Sequence, residues 1–370
     1  MPQSPYIPGA YYRIKNLTQN SDFYLTAPGT GGGLVTFEKR RTEGEPDFEL
    51  QLWYVMPLDN DRHLIANRAS GLVLNVVGNS RSVNAQVEQF AIQPDTTASA
   101  QAWYMRLRAD HISEASIVNA GSNLLLSPDL RSGYGFYAGK TPVLSAPYRA
   151  DSYFSQVWGL ETYSGYGEVG HYLRREAGDA DDIPDITRLT GYSPPSRDRT
   201  AETLVGSVLI PFPFINDPVL TRPRQAQENP YYVLKRFGYW RNVYYYEHSG
   251  ASSYTKSETV TVGLTTSNSK QVEHTAGVKV TAKTEFSFFG AASEISVEAE
   301  YQLKTSTTST NTATNTTTTT IQRDYQAGKR RAEAIWYRED RFVLERLNGQ
   351  KVVDWVIRNP DRMITDAYPA

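Results

Sequence analysis

The chain has 370 residues, with 38 lysines and arginines against 40 aspartates and glutamates, and it contains no cysteine. The length predicts roughly two domains of about 150 residues each. Without cysteine there can be no disulfide bond, thiolate zinc site or cysteine nucleophile. A net charge of −2 argues against nucleic acid as a partner, because such a surface needs an excess of lysine and arginine.

Neither a membrane-spanning helix nor a secretory leader is predicted. No apolar run approaches the length of about 18 residues that a transmembrane helix requires. The segment Met1–Leu17 contains Pro2, Pro5 and Pro8 and no apolar core, which argues against a secretory signal peptide. We therefore expect a protein that is made and kept inside its cell, or that leaves by lysis.

Two short motifs recur three times, in register, in the first half of the chain. The copies of Gln-x-Trp are spaced by 50 and 55 residues and are Gln51–Trp53, Gln101–Trp103 and Gln156–Trp158. The copies of Ile-x-Asn, with the leucine that follows each, are Ile14–Asn16 and Leu25, Ile65–Asn67 and Leu74, and Ile117–Asn119 and Leu126. Turn residues separate short predicted strands. We predict that the three tryptophans form a shared core and that the glutamines hold the backbone.

Three all-β repeats of about 50 residues that each end in Gln-x-Trp resemble the β-trefoil of ricin-B-type lectins. The resemblance implies a receptor- or glycan-binding trefoil over residues 1–160. Residues 161–200 combine glycines, an acidic run and a Pro-Pro pair, and we predict a linker or irregular bridge there. Residues 201–370 are again rich in predicted strands.

An amphipathic β-hairpin is predicted within residues 271–305. Apolar and polar side chains alternate over two runs of about ten residues, which is the length of a tilted transmembrane β-strand. The row predicted to face lipid is Val278, Val280, Ala282, Phe286, Phe288, Ile295, Val297, Ala299, Tyr301 and Leu303. The row predicted to face the lumen contains Lys279, Lys283, Glu285, Glu294, Glu298, Glu300 and Lys304. Its three bases and four acids sum to −1 per protomer, which predicts a mild cation preference.

The segments on either side of this hairpin are unusually rich in serine and threonine. Residues 305–320 contain eleven Thr, two Ser, two Asn and one Ala, and Thr255–Ser269 has a similar character. Such strands pair readily without an apolar face, as the stem outside a bilayer must. Long Ser/Thr strands around an amphipathic hairpin are similar to the aerolysin-type pore-forming module. The alternative is an ordinary amphipathic hairpin on a soluble sheet.

A Gln-x-Trp trefoil followed by such a module resembles the insecticidal binary-toxin (Bin) family of bacterial crystal proteins. Local likeness is carried by Val205–Pro211, Asn229–Val233, Tyr239-Trp240 and Leu64–Arg68, within a similarity that covers roughly residues 10–360. The resemblance implies an all-β fold, in which the trefoil precedes an elongated, sheet-rich aerolysin-type pore-forming domain over residues 201–370. Some members of the family carry trefoil cysteines, so disulfide-dependent properties are not carried over.

The same resemblance implies a life cycle. The protein is stored in a crystalline inclusion of a sporulating bacterium, with a dimer as a possible crystal form, and is released by lysis. Proteases of an insect gut trim its ends, for which Arg13, Arg358 and Arg362 are candidate cleavage sites and Met363–Ala370 a candidate tail. The trefoil then binds a midgut receptor, glycan or glycolipid. Oligomers insert hairpins into the target membrane, and a second toxin component is a further candidate partner.

Candidate sugar sites combine an amide or carboxylate with an aromatic ring that stacks on the sugar. The candidates are Asn75, Glu88 and Phe90 in repeat two and Asp129, Tyr148 and Asp151 in repeat three. Repeat one offers Thr26 and Phe37 but no acidic or amide anchor. Loop capping and ordinary surface aromatics are the alternative for all of them.

An enzyme is not indicated, and no catalytic residue, metal ligand set or cofactor is predicted. The five histidines are scattered, and neither a nucleophile elbow nor a P-loop is present. Glu298-Ala299-Glu300 precedes Ser306–Ser309, whereas an ADP-ribosyltransferase has the opposite order. Two hypotheses remain: a pore-forming insecticidal toxin, and a storage or defence lectin whose second domain only assembles oligomers.

Overall fold

The structure of the protein is a computed structural model. It describes residues 10–18, 22–58, 61–93, 98–108, 111–129, 139–147, 156–163, 182–264, 278–280, 286–288 and 316–370. The chain forms two compact units. The described residues of the first come mainly from 10–163 and Ile210–Tyr232, and those of the second come mainly from 182–209, 233–264 and 316–370.

The first unit is built from short strands joined in one sheet system. The strands are β1 (Tyr11–Asn16), β2 (Phe23–Thr26), β3 (Gly33–Leu34), β4 (Thr36–Lys39), β5 (Trp53–Pro57), β6 (Arg62–Asn67), β7 (Val73–Val76), β8 (Val87–Phe90), β9 (Trp103–Arg108), β10 (His111–Asn119), β11 (Leu125–Pro128), β12 (Pro142–Ser145) and β13 (Trp158–Tyr163). Helix α1 (Ala98–Gln101) and 3-10 turns at Phe48–Gln51 and Val77–Asn79 lie between strands. Strand β1 pairs with β13, so the two ends of the unit close on each other.

The three tryptophans of the repeats occupy equivalent places in one core. Trp53, Trp103 and Trp158 have no exposed surface. Each indole nitrogen donates to the carbonyl of the in-phase leucine of a repeat, at 2.9 Å to Leu25, 3.1 Å to Leu74 and 3.2 Å to Leu126. This arrangement is favourable because each indole ring is buried while its N–H group still has a hydrogen-bond acceptor. The all-β trefoil predicted from the repeats is confirmed.

A segment from the second half of the sequence packs on the first unit. Residues 210–232 contain a 3-10 turn (Phe212–Phe214) and helix α2 (Arg222–Glu228). Phe212 is fully buried with its ring 6.3 Å from that of Tyr54, whose hydroxyl donates to the Ala226 carbonyl at 2.5 Å. The predicted boundary at residue 201 therefore differs from the division between the units, because the buried Phe212 holds the strap, Ile210–Tyr232, on the trefoil.

Arg222 organises this strap from within. Its guanidinium donates to the carbonyls of Phe212 and Ile215 at 2.7 and 2.8 Å and to the Asn216 side chain at 2.9 Å. Burial lowers the pKa of Arg222 below its ordinary value. Because a guanidinium offers five donors in a fixed fork, one side chain can close the turn and join it to α2.

His63 gives the first unit a predicted acid sensitivity. It is 4 % exposed on β6, opposite Trp103, and burial lowers its pKa to about 4. Since the unfolded chain binds the proton more tightly, stability is full above about pH 6.5 and falls by about 3 kcal/mol between pH 6.5 and 4. Denaturant titrations of the wild type and His63→Gln across this range should show the steeper decline in the wild type; parallel profiles would contradict the prediction.

The second unit is a six-stranded sheet of long strands. They are β14 (Thr203–Pro211), β15 (Tyr231–His248), β16 (Tyr254–Leu264), β19 (Thr316–Tyr325), β20 (Arg331–Arg346) and β21 (Lys351–Tyr368), with β17 (Val278–Val280) and β18 (Phe286–Phe288) apart from them. The order across the sheet is β14-β15-β20-β21-β16-β19. This elongated all-β second half is the architecture expected from the sequence.

Irregular chain covers part of this sheet. Ile186 and Leu189 are buried against Ala334 and Trp336 of β20, although residues 182–200 contain no regular strand or helix. The Leu189 amide donates to the buried Asp366 carboxylate at 2.5 Å. The described part of the predicted bridge is thus irregular and also packed, since its apolar residues complete a core that the sheet alone leaves open.

The predicted cleavage positions lie in paired strands. Arg13 is 5 % exposed on β1. Arg358 donates to Glu339 at 2.7 Å, and β21 continues past Arg362 until Tyr368 pairs with Ala332 of β20. The expectation of a loose C-terminal tail is therefore wrong for Met363–Tyr368, because backbone pairing holds this segment in the sheet.

Candidate functional site

The Gln-x-Trp glutamines support the trefoil backbone. Gln51 donates to the Lys39 carbonyl at 2.8 Å, Gln101 to the Ala91 carbonyl at 2.8 Å, and Gln156 to the Ala146 carbonyl at 2.7 Å. All three side chains are buried. Their amides therefore hold the connections between strands and are not available to a ligand.

Repeat two brings its predicted sugar-site residues together on one outer sheet face. Asn75 of β7 lies directly opposite Glu88 of β8, and its Nδ2 donates to the Glu88 carboxylate at 2.9 Å. Phe90 lies two residues further along β8, on the same face, and is 42 % exposed. A carboxylate beside an exposed ring is the combination that binds a sugar's hydroxyls and its C–H face.

Asn75 has a supporting position in this arrangement. It is 1 % exposed, and its Nδ2 also donates to the Val76 carbonyl at 3.0 Å. Its Oδ1 is buried without a hydrogen-bond partner, which costs a folded protein about 1–3 kcal/mol. Asn75 therefore positions the Glu88 carboxylate. The Oδ1 atom of Asn75 accepts no hydrogen bond from the protein.

One exposed residue beside this face was missed from the sequence. Leu34 of β3 lies opposite Glu88 on the side of β8 away from Asn75, and it is 37 % exposed. It comes from repeat one, 54 positions before Glu88. Only the pairing of β3 with β8 reveals its place, so no spacing within a repeat could have identified it.

The equivalent positions of the other repeats differ. Thr26 is buried and accepts from Gln51 at 3.1 Å, and Phe37 is fully buried with its ring stacked 5.5 Å from that of Trp158. Repeat one therefore places its aromatic ring in the core. In repeat three, Asp129 is partly exposed, while Tyr148 and Asp151 lie outside the described residues.

The Ser/Thr-rich strands pair with each other to form a stem. Strands β16 and β19 are antiparallel over ten residue pairs, from Tyr254↔Tyr325 to Gly263↔Thr316. Val260, Val262 and Ile321 are buried, while the threonines between and beside them are exposed. Their pairing places the two ends of segment 265–315 side by side, at Leu264 and Thr316.

Of the predicted hairpin itself, the structure describes only two short strands. Strands β17 (Val278–Val280) and β18 (Phe286–Phe288) pair into a separate two-stranded sheet. In this structure β17 and β18 satisfy each other's backbone groups, whereas the alternation predicts a run of about ten residues that includes both. The remaining residues of the two predicted rows, and the second arm, lie outside the described residues.

The other end of the stem is held by a buried polar cluster that the sequence did not indicate. The Tyr325 hydroxyl donates to Glu333 at 3.0 Å and lies 2.9 Å from that of Tyr244, while Arg323 donates to Glu333 at 2.9 Å. Burial, followed by the hydrogen bond to Tyr244, raises the pKa of Tyr325 above its ordinary value. Tyr325 therefore stays a neutral donor, and the cluster links β19 with β15 and β20.

Two further observations concern membrane-spanning helices and metal-binding groups among the described residues. Within the described ranges, no helix is both long and apolar enough to cross a membrane. Across the same part of the chain, no group of three or more histidine, aspartate or glutamate side chains is placed to hold a metal ion.

Comparison with known proteins shows what two parts of the chain resemble. Residues 203–370 match the family model described as Insecticidal Crystal Toxin, P42, and residues 49–133 match that of a ricin-type beta-trefoil lectin domain. Residues 203–370 are thus similar to a family of insecticidal crystal toxins, and a trefoil joined to such a domain is the combination found in toxins of the binary-toxin (Bin) type, which this chain resembles.

Two comparisons concern the insecticidal crystal protein Cry35Ab1 of Bacillus thuringiensis. Its sequence is 23 % identical over 228 residues, which are 60 % of this chain and 50 % of the relative, so the match spans half of the relative's length. The crystal structure of Cry35Ab1 aligns with a TM-score of 0.78 at 18 % identity, over 97 % of this chain and 90 % of that one. The chain therefore shares the fold of Cry35Ab1. A designed 3-fold symmetric protein, ThreeFoil, aligns over 41 % of this chain with a TM-score of 0.34.

Proposed function

We propose that this protein is an insecticidal pore-forming toxin. Its trefoil unit binds a receptor or glycan on the midgut surface, and several proteolytically activated copies each donate the hairpin within residues 271–305 to a transmembrane β-barrel. The single observation that carries the proposal is the stem, ten residue pairs long, which frames a segment whose sequence alternates between apolar and polar residues.

The stem suits this role because of where it is fixed. Tyr325 and Glu333 hold one end to the rest of the sheet, while the other end leads into residues 265–315. A barrel needs strands that face lipid with one row and water with the other, closed so that no edge is unpaired. One hairpin has two strands, so closure requires other copies of the chain.

The partners follow from the two units. Glu88 and Phe90 are the proposed contacts for a glycan, glycolipid or glycoprotein receptor of the midgut, and the target membrane receives the hairpin. The likeness to a crystal protein supports storage in a bacterial inclusion that lysis releases. A second toxin component is a further proposed partner, and the proposed activity involves no catalytic residue or cofactor.

A lectin without pore activity is the second candidate, and the exposed Phe90 beside Glu88 favours it independently of the stem. Dye release separates the two candidates. Protein treated with midgut proteases and added to dye-loaded brush-border vesicles is expected to release the dye as a pore does. Binding to the vesicles without release would contradict the pore and leave the lectin.

A further inference from the structure

The outer face at repeat two continues beyond the predicted sugar residues. Leu34, Glu88 and Asn75 form one row across β3, β8 and β7. Neighbouring strands lie about 4.8 Å apart and alternate residues of a strand about 7 Å apart, so the row spans roughly 10 Å, with Phe90 one step to the side. Leu34 and Phe90, both exposed, therefore flank Glu88.

The glycine-rich loop that leads into β3 is held firmly beside this face. Gln89 donates to the carbonyls of Gly29, at 2.7 Å, and Gly31. Gln89 accepts in turn from the Ser70 hydroxyl at 2.8 Å, and both side chains are buried. A Cβ atom added at Gly29 or Gly31 would meet no atom within 4 Å, so there is free space beside the backbone at both glycines.

The chemistry of the row indicates its ligand. Phe90 and Leu34 offer two separate apolar contacts for C–H faces, and the Glu88 carboxylate next to both accepts hydrogen bonds from hydroxyl groups. A carboxylate at the centre disfavours a ligand carboxylate through like-charge repulsion. One hexose covers one apolar contact and Glu88, whereas the diagonal from Phe90 to Leu34, roughly 8 Å, leaves room for two linked rings.

We propose that this site binds an uncharged disaccharide unit, with one ring on Phe90 and the adjoining ring on Leu34 beside the glycine loop of repeat one. Leu34 is then a specificity residue contributed by a different repeat, and Gln89 positions the loop. The inference rests on the proposed glycan binding and extends it from a residue pair to a ligand class.

The test is binding of the full-length chain to printed neutral and sialylated mono-, di- and trisaccharides. We expect neutral disaccharides to bind about tenfold or more tightly than their component monosaccharides, with sialylated forms weaker. Phe90→Ala should lose both kinds of binding, whereas Leu34→Asp should lower only disaccharide binding, by about tenfold. Val83→Asp, at another exposed apolar residue of the trefoil, is the matched control and should bind as the wild type does.

The outcomes separate the two levels of the proposal. If Phe90→Ala abolishes binding while Leu34→Asp, with wild-type thermal stability, leaves disaccharide affinity unchanged, the extended site is refuted and glycan binding stands. A preference for sialylated sugars would also overturn the inference. If the wild type binds none of the printed sugars, or if Phe90→Ala binds them normally, the glycan-binding proposal itself is contradicted.

Discussion

Replacing Phe286 and Val297 together by aspartate is expected to lower dye release from vesicles by about tenfold or more. Both residues belong to the row predicted to face lipid. An acidic side chain on that face costs up to about 1–2 kcal/mol, depending on its depth in the bilayer, and the cost recurs in every protomer of a barrel. The measurement is the rate of dye release per unit of bound protein after protease treatment.

The neighbouring serines supply a matched control. Ser287→Asp with Ser296→Asp adds the same charge to the same two stretches, one position away and on the row predicted to face water. This control variant should release dye at a rate close to that of the wild type. An equal loss of dye release in both double variants would mean that the added charge is responsible, whichever row carries it. The predicted alternation of lipid-facing and water-facing residues would then be contradicted.

Gly71→Ala is expected to destabilise the first unit much more than Gly78→Ala. Both glycines have positive φ, +70° and +62°, so each alanine incurs about 1 kcal/mol of backbone strain. At position 71 the added Cβ would also lie 2.6 Å from the Arg222 carbonyl oxygen, whereas at 78 it would meet nothing within 4 Å. Overpacking against a backbone atom adds about 2 kcal/mol or more.

The difference between these two variants measures the packing of the strap, residues 210–232, on the trefoil. Denaturant unfolding followed by tryptophan fluorescence should give a lower midpoint for Gly71→Ala than for Gly78→Ala. The same unfolding midpoint in both variants would show that the strap does not pack against Gly71 in solution. A larger shift for Gly71→Ala than for Gly78→Ala would show that residues Ile210–Tyr232 pack directly against Gly71.

The sequence predicted the trefoil well because each repeat carries its own copy of the determinants. Trp53, Trp103 and Trp158 each need an apolar core and a carbonyl acceptor, and the repeat supplies both at a fixed spacing. The stem was predictable for a similar reason, since long threonine-rich runs favour paired strands with little apolar area.

What the sequence could not predict depends on contacts between distant segments. Leu34 reaches the repeat-two face only because β3 pairs with β8, and Phe212 returns to the trefoil only because Tyr54 and Gly71 leave room for it. In the cluster of Tyr244, Tyr325 and Glu333, Tyr244 comes from a strand 81 positions before Tyr325. Alternation of apolar and polar residues likewise indicates that a segment can form a strand, but it does not say which partner that strand pairs with. The short pair β17 and β18 is an example.

The central claim of the proposed function is that the segment 278–304 becomes a ribbon with one face in lipid. Because the chain has no cysteine, single cysteines can be introduced along this segment and labelled with an environment-sensitive fluorophore. On vesicles, the account predicts blue-shifted emission that alternates residue by residue, with the maxima at Val278, Val280, Ile295 and Val297. A uniform aqueous spectrum along the whole segment, from protein that still releases dye, would contradict it.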